Sequence, residues 1–255
     1  TDVASTLTSV DASAVEGSAE LDLSSATSVS SVSTGAGDDA IDAGVGNLTK
    51  TAEIVGGEGD DRLNLTAGNG TVQFALSGVQ TLGLGALGGA LTFSAGNTEG
   101  LTTVDATEAL GNDATFANLG NQDLTVDVSG NNTNGSTIRG DHAGGTTVDV
   151  AGSADAETDN RDANDTNVTA SNSSVVNLNV GETSDYQGTV TASSADSVVA
   201  DIKGVATNGA TISAAAATAI DVTTGEDAST MTVTAPDAVQ ATFNAGGDLT
   251  LGATN

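Results

Sequence analysis

Residues 189–224, TVTASSADSVVADIKGVATNGATISAAAATAIDVTT, contain the clearest periodicity in the chain. In short runs such as TVT at 189–191 and TIS at 211–213, apolar residues alternate with Thr or Ser, which predicts strands with one buried and one solvated face. The apolar strand centres follow one another at intervals of roughly 8 to 13 residues, at Val190, Val199, Ile212 and Ile220. Two strands of this kind make one coil of a solenoid, so the spacing predicts about 20 residues per coil.

The same alternation recurs from the first residues to the last, and Gly, Asn and Asp clusters that favour tight turns separate the runs. A phrase built around Val-Asp or Ile-Asp also repeats, at 8–13, 102–107, 147–151 and 219–223. Helical periodicity is weak, and the run Ala214–Ala217 is interpreted as a corner between two strands because it is too short for a helix. This repetition favours an all-β fold, a parallel β-solenoid of the β-helix or β-roll type, over an antiparallel β-sandwich that shares the same signals.

A solenoid of this kind has a narrow interior, which favours Val, Ile, Leu and Ala over Phe or Trp. Residues 1–255 are predicted to form a single solenoid segment, a rod on the order of 60 Å long at about 4.8 Å per coil. The polar stretch 153–172 is the one candidate for a long acidic loop, and a second calcium loop there is the less favoured interpretation. Residues 1–4 and 249–253 read as coil without a polar cap, which predicts continuation into a longer chain or into a neighbouring subunit.

The charge of the chain excludes several functional classes. Its 255 residues include 34 Asp plus Glu against 5 Lys plus Arg, a formal charge of −29, and no Cys. Such a charge repels phosphate backbones, which excludes nucleic-acid binding, and the absence of Cys excludes zinc–thiolate, iron–sulfur and disulfide chemistry. No run of about 18 apolar residues and no signal-peptide pattern is present. A compact chain this acidic needs bound cations or a saline medium to offset its self-repulsion.

Two segments match the nonapeptide Gly-Gly-x-Gly-x-Asp followed two places later by an apolar residue. Residues 56–64, GGEGDDRLN, satisfy every position, and residues 34–42, TGAGDDAID, have Thr in place of the first Gly. A degenerate copy, AGVGNL at 43–48, keeps two glycines but lacks the Asp. The candidate calcium ligands and turn glycines are Gly35, Gly37, Asp38, Asp39, Gly57, Gly59, Asp60 and Asp61.

The two matches are one coil apart, because the sequence positions of Asp39 and Asp61 differ by 22 (61 − 39). This spacing predicts that the two Gly-Asp-Asp turns are stacked, with their carboxylates about one strand spacing apart. Calcium takes six to eight oxygen ligands, more than one turn supplies, so an ion is expected between stacked turns, where it offsets the repulsion of the carboxylates. The alternative is two ordinary Gly-Asp turns on an acidic surface.

With these motifs and its Thr/Ser/Ala/Gly-rich, cysteine-free composition, the sequence resembles RTX-type secreted proteins, in particular bacterial surface-layer proteins and large adhesins. The resemblance rests on residues 35–39 and 56–61, and on TSVDASAV at 8–15 upstream of the first motif. It implies a calcium-stabilised solenoid at the cell surface, type I secretion, and self-association into a lattice or filament, with cell-surface polysaccharide as a further candidate partner. Only two good nonapeptides are present, so one or two calcium ions are expected rather than a full row.

Three functions follow as expectations. The first is a structural surface-layer lattice component of a Gram-negative-type bacterium. The second is an RTX adhesin or extracellular matrix filament subunit, and the third is a non-catalytic β-roll domain of a secreted enzyme. The chain itself is not expected to be an enzyme, because its few Lys, Arg, His and Tyr residues are scattered singly along the sequence.

Overall fold

The computed structural model describes residues 5–94, 98–106, 110–120, 123–128, 137–142, 144–150, 162–164, 167–170, 172–181, 184–203, 210–225, 231–245 and 249–252. Within these ranges the chain is a parallel β-solenoid, which confirms the predicted fold class. Every named strand pairs in parallel with a strand of a neighbouring coil, and the strands inside each sheet pair on both sides. Residues 1–4 and the acidic stretch 153–161 lie outside the described residues.

One sheet, called the long sheet here, runs through the whole described stack. It has eleven strands. Their bounds are β2 (Glu20–Asp22), β4 (Ala40–Gly44), β6 (Arg62–Thr66), β9 (Thr81–Leu84), β12 (Thr103–Ala106), β14 (Leu124–Val128), β16 (Thr146–Val150), β19 (Val175–Val180), β22 (Ser197–Ile202), β24 (Ala219–Thr224) and β26 (Gln240–Ala245). Eleven strands about 4.8 Å apart span roughly 50 Å, so this sheet sets the length of the rod.

Two shorter sheets cover the other side of the coil in succession. The first side sheet has five strands: β1 (Ser9–Asp11), β3 (Val29–Ser33), β5 (Leu48–Val55), β8 (Ala75–Ser77) and β11 (Thr98–Glu99). The second side sheet has nine: β7 (Gly70–Val72), β10 (Leu91–Ser94), β13 (Ala114–Gly120), β15 (Thr137–His142), β18 (Asn167–Ala170), β21 (Thr189–Thr191), β23 (Ala210–Ser213), β25 (Met231–Thr234) and β27 (Leu249–Gly252). A separate two-stranded sheet joins β17 (Asp162–Asn164) to β20 (Ser184–Tyr186).

The register is close to the predicted coil length. Ile41 pairs with Leu63, and Val104 with Val126, so both coils advance the sequence number by 22 (63 − 41 and 126 − 104). Two coils depart most from this length: the step from Leu63 to Leu82 is 19 (82 − 63), and the step from Val148 to Leu178 is 30 (178 − 148). The long sheet therefore continues from β16 to β19, and the coil between these strands, whose sequence includes the predicted acidic stretch, is eight residues longer than 22 (30 − 22).

The core lies between the long sheet and the side sheets and consists mainly of small and medium apolar side chains, with one section that holds larger ones. Val, Leu, Ile and Ala alternate inward on central strands of the long sheet, as in the buried residues of β14 and β19. Where the first and second side sheets overlap, between β7 and β11, the coil has three sides. Phe74 and Phe93 are fully buried there, and Phe116 is fully buried on β13 in the next coil; successive ring centroids are 5.9 and 6.0 Å apart. The expectation that the interior disfavours Phe is therefore wrong in this section, because a third strand per coil widens it.

The corner predicted at Ala214–Ala217 is confirmed. These residues form a turn between β23 and β24, and Ala217 donates its N–H to the carbonyl of Ala214 at 3.2 Å. Ala214 and Ala217 are both fully buried, so the small side chains allow the corner to pack against the core. Among the described residues, no helix is long and apolar enough to cross a bilayer.

Candidate metal centre

The two Gly-Asp-Asp turns are stacked, as the spacing of the motifs predicts. Each turn leads into a strand of the long sheet, β4 after Asp39 and β6 after Asp61, and Ala40 pairs with Arg62 at the start of these strands. A parallel bridge joins Ala36 to Glu58 within the turns. Equivalent residues of the two motifs are therefore neighbours across one coil interface.

The predicted turn glycines allow the close approach of the two backbones. Gly57 and Gly59 have φ values of 102° and 124°, a region that residues with a side chain rarely adopt. A Cβ on Gly57 would meet the carbonyl oxygen of Gly35, and one on Gly59 would meet that of Gly37. The glycines at these positions thus let carbonyl oxygens of one turn reach the backbone of the next.

The inner carboxylates of the two motifs are both buried. Asp39 and Asp61 are each 2 % exposed, whereas their neighbours Asp38 and Asp60 are more accessible to solvent. The apolar anchors two places on, Ile41 and Leu63, are buried in the core and fix each turn to the stack. The motif thus places one carboxylate inside the turn and one outside it.

The buried carboxylates form a ladder along the stack through one oxygen each. Asp39 Oδ1 accepts the N–H of Ala19 at 2.6 Å, and Asp61 Oδ1 accepts the N–H of Asp39 at 2.9 Å. The next rung is Gln80, whose Oε1 accepts the N–H of Asp61 at 2.7 Å. Each rung ties a turn to the preceding coil, so part of the carboxylate chemistry is structural.

The second oxygen of each buried carboxylate has no hydrogen-bond partner within the described part of the chain. These atoms are Asp39 Oδ2 and Asp61 Oδ2. Burial raises the pKa of Asp61 above the ordinary aspartate value, and the nearby charges of Asp39, Asp38 and Asp60 raise it further, while the hydrogen bond from the Asp39 N–H lowers it. A buried charge without a partner is costly, which makes these two oxygens the candidate ligands for a cation.

The outer carboxylate of Asp38 and the substituted first position of the motif, Thr34, also bridge the two turns. Asp38 Oδ1 accepts the N–H of Asp60 at 3.0 Å. Thr34, which stands where the pattern has Gly, is 2 % exposed and donates its hydroxyl to the carbonyl of Gly56 at 2.5 Å. The Thr is therefore tolerated because its side chain bonds to the next turn instead of crowding it.

The donor set fits calcium only if backbone oxygens take part. No group of three or more His, Cys, Asp or Glu side chains is placed to hold a metal within the ranges described above. The partnerless oxygens of the two buried carboxylates, and the carbonyls that lie close to the glycines of the neighbouring turn, match the hard, oxygen-only ligands of calcium, with water completing the shell. The residues would not suit zinc or copper, which favour nitrogen or sulfur ligands.

Sequence reasoning missed the two turns that flank the motifs. Ala19 precedes the first motif turn, while Gly78 and Gln80 follow the second, and neither segment carries the nonapeptide pattern. Adding the motif spacing of 22 residues to Asp61 gives Gly83 as the next equivalent residue. The coil is shorter there, so Gln80 instead accepts the next hydrogen bond of the ladder. The degenerate copy at 43–48 spans the end of β4, a 3-10 turn (Val45–Asn47) and the start of β5. There Asn47 donates its side-chain amide to the carbonyls of Ser24 and Ala26.

A second set of carboxylates lies in one outward column of the long sheet. Asp105, Asp127 and Asp149 are directly paired neighbours on β12, β14 and β16. Two of the repeated Val-Asp phrases supply Asp105 and Asp149. Asp105 Oδ1 and Asp127 Oδ1 are buried without a hydrogen-bond partner among the described residues.

Arg62 neutralises one end of this column by crossing a whole coil. Its Nη1 lies 2.6 Å from Asp105 Oδ2, and its Nε donates to Asn64 Oδ1. Between them lies Gly83, the column residue of β9, where a Cβ would meet both Asn64 Oδ1 and Arg62 Nη2. Because Gly83 has no side chain, the guanidinium of Arg62 can occupy the place in the column where a side chain of β9 would otherwise lie.

Comparisons with protein-family models, with curated proteins and with solved structures found no match to this chain. The class that can be stated is the one the fold defines, a parallel β-solenoid with stacked Gly-Asp-Asp turns.

Proposed function

We propose that the chain is a non-catalytic structural segment of an extracellular protein, a β-solenoid stabilised by calcium that assembles into a surface layer. The observation that carries the proposal is the pair of buried carboxylates one coil apart, Asp39 and Asp61, each with a partnerless Oδ2 among the described residues. A cation at the stacked turns would pair these oxygens and offset the cost of burying them.

The overall charge supports the second half of the proposal. Copies that each carry −29 repel one another, so ordered association requires a cation that screens or bridges their acidic surfaces. Extracellular calcium modules bind with dissociation constants of about 10⁻⁴ to 10⁻³ M, which suits a protein that assembles only outside the cell. The fold gives such an assembly a stiff, rod-shaped unit with strands in register.

The test is a titration of the chain with calcium, followed by circular dichroism for folding and by electron microscopy for assembly. We expect calcium, and not magnesium at the same ionic strength, to raise the melting temperature and to produce ordered sheets. If the chain folds equally well with and without EGTA, calcium does not stabilise it and this part of the proposal fails. If calcium stabilises the chain but the chain does not associate even at high protein concentration, an adhesin or filament role is favoured over a surface-layer lattice.

A pair of variants separates the motif turns from the acidic stretch. Asp61→Ala is expected to weaken calcium binding far more than Asp162→Ala, because Asp61 is buried with an unpaired oxygen. Isothermal titration calorimetry measures both affinities. Equal losses in the two variants would move the site to the acidic stretch.

A further inference from the structure

The turn that follows the second motif carries no calcium pattern, yet it is stacked directly on the Gly56–Asp61 turn. This segment, residues 77–81 from the last residue of β8 to the first of β9, is called the third turn here. Gly56 donates its N–H to the carbonyl of Ser77 at 2.8 Å, and the N–H groups of Gln80 and Thr81 both donate to the carbonyl of Asp61, at 3.1 and 3.0 Å. The third turn is thus held as closely to the second motif as the two motifs are to each other.

Two oxygens of this interface converge at one place. If Gly56 carried a Cβ, its two nearest atoms would be the carbonyl oxygen of Gly78 and Oδ2 of Asp61. Gly78 itself has φ of 68° and lies over the backbone of Gly57, which fixes the direction of its peptide. The empty side-chain position of Gly56 is therefore bordered by a carboxylate oxygen and a carbonyl oxygen.

The two oxygens of Asp61 have different surroundings. Oδ1 accepts the N–H of Asp39 from the preceding coil, while Oδ2 lies beside Gly56 without a partner among the described residues. Asp61 is 2 % exposed, so bulk water cannot solvate this charge fully. Two acceptors that face one position need a positive group or a shared proton between them.

We infer that Asp61 and the carbonyl of Gly78 ligate a calcium ion between the second motif and the third turn, at the position left open by Gly56. The inference rests on the proposed calcium stabilisation and assigns part of it to a turn outside the nonapeptides. Calcium binds carboxylate and carbonyl oxygens without a preference for sequence motif, so a neutral turn with an inward carbonyl suffices as the second half of the site.

An isosteric variant tests the charge at this position. In Asp61→Asn the side-chain oxygen still accepts the Asp39 N–H, and the new amide can donate to Gly78 O. We therefore expect a melting temperature in EGTA at least equal to that of the wild type, together with loss of the rise on adding calcium. A variant that still gains stability from calcium as the wild type does would overturn the inference.

A matched pair of glycine variants tests whether the ion lies at the position beside Gly56. Gly56→Ala puts a methyl group between the two oxygens, whereas Gly46→Ala puts one in open space. Calorimetry should show calcium binding weakened at least about tenfold in Gly56→Ala and unchanged in Gly46→Ala. Because Asp61→Asn keeps the size of the side chain, it provides the same test if Gly56→Ala does not fold.

Asp39→Asn distinguishes this inference from the proposed function. We expect Asp39→Asn to retain calcium-dependent stabilisation through Asp61 and Gly78. If Asp39→Asn loses that stabilisation while Gly56→Ala keeps it, the ion lies between the two motifs; the inference then fails and the proposed function survives. If the wild type does not respond to calcium, both fail together.

Discussion

Replacing Asp127 by asparagine is expected to stabilise the coil stack at neutral pH. Asp127 lies on β14 between Asp105 and Asp149, its directly paired neighbours in the long sheet. Burial raises the pKa of Asp127, and the charges of Asp105 and Asp149 raise it further, while Arg62 lowers it. A carboxyl group whose pKa is raised by folding stabilises the fold when protonated and loses this contribution as the pH rises through its folded pKa.

The size of the effect follows from the contacts that are removed. Like charges on directly opposite strand positions cost roughly 0.2–1 kcal/mol each, and Asp127 has two such neighbours. An asparagine could also donate to a neighbouring carboxylate, as Asn64 does to Asp42 at 2.6 Å in the same column. We expect a gain of about 1 kcal/mol at pH 7, or roughly 2–4 °C in melting temperature for a chain of this size.

The assay is thermal unfolding followed by circular dichroism at several pH values, with Asp201→Asn as the control. Asp201 is in the same column, but its paired neighbours are Asn179 and Thr223, and Lys203 Nζ lies 3.5 Å from its Oδ2. The gain in Asp127→Asn should disappear as the pH falls towards the ordinary aspartate pKa, where the wild-type carboxyl is also neutral. A loss of stability at pH 7, or the same change in both variants, would refute the electrostatic reasoning.

Three further substitutions test other parts of the fold. Phe93→Ala should cost about 3–5 kcal/mol in urea unfolding because it empties the centre of the stacked aromatic core; a cost below about 1 kcal/mol would contradict that packing. Gly83→Ala should displace the guanidinium of Arg62 and cost about 1–3 kcal/mol by the same assay, and a neutral result would show that the guanidinium does not depend on the missing side chain. Thr34→Val removes the hydroxyl bond to the Gly56 carbonyl and should lower the free energy of unfolding by about 1 kcal/mol; an unchanged value would make that bond irrelevant.

The features that repeat in the sequence were predictable from it. Alternation of apolar and polar residues gave the strands, and the one-coil interval between Asp39 and Asp61 gave the stacking of their turns, because in-register parallel pairing places equal offsets side by side. The buried position of Ile41 and Leu63 followed from the same register.

Features that depend on changes in coil length were not predictable. The coil after Asp61 is shorter than the one before it, so Gln80, which has a different side chain from Asp, takes the next rung of the ladder. The three-sided section depends on β7 starting a new sheet beside an existing one, and periodicity alone cannot show which sheet a strand joins. The bridge from Arg62 to Asp105 joins two coils that are not adjacent and passes over Gly83, a contact that no local pattern encodes.

Stabilisation of the stacked turns by calcium is tested by the melting temperature of the wild-type chain in EGTA and across a calcium titration. An Asp39→Asn/Asp61→Asn double variant is measured alongside it. A ligand that binds only the folded state stabilises it by about 2.7 kcal/mol at one hundred times its dissociation constant. We expect the wild type to gain stability with calcium in this way, and the double variant to have the same melting temperature in EGTA and at every calcium concentration. A wild-type melting temperature that is the same in EGTA and in millimolar calcium would contradict this expectation.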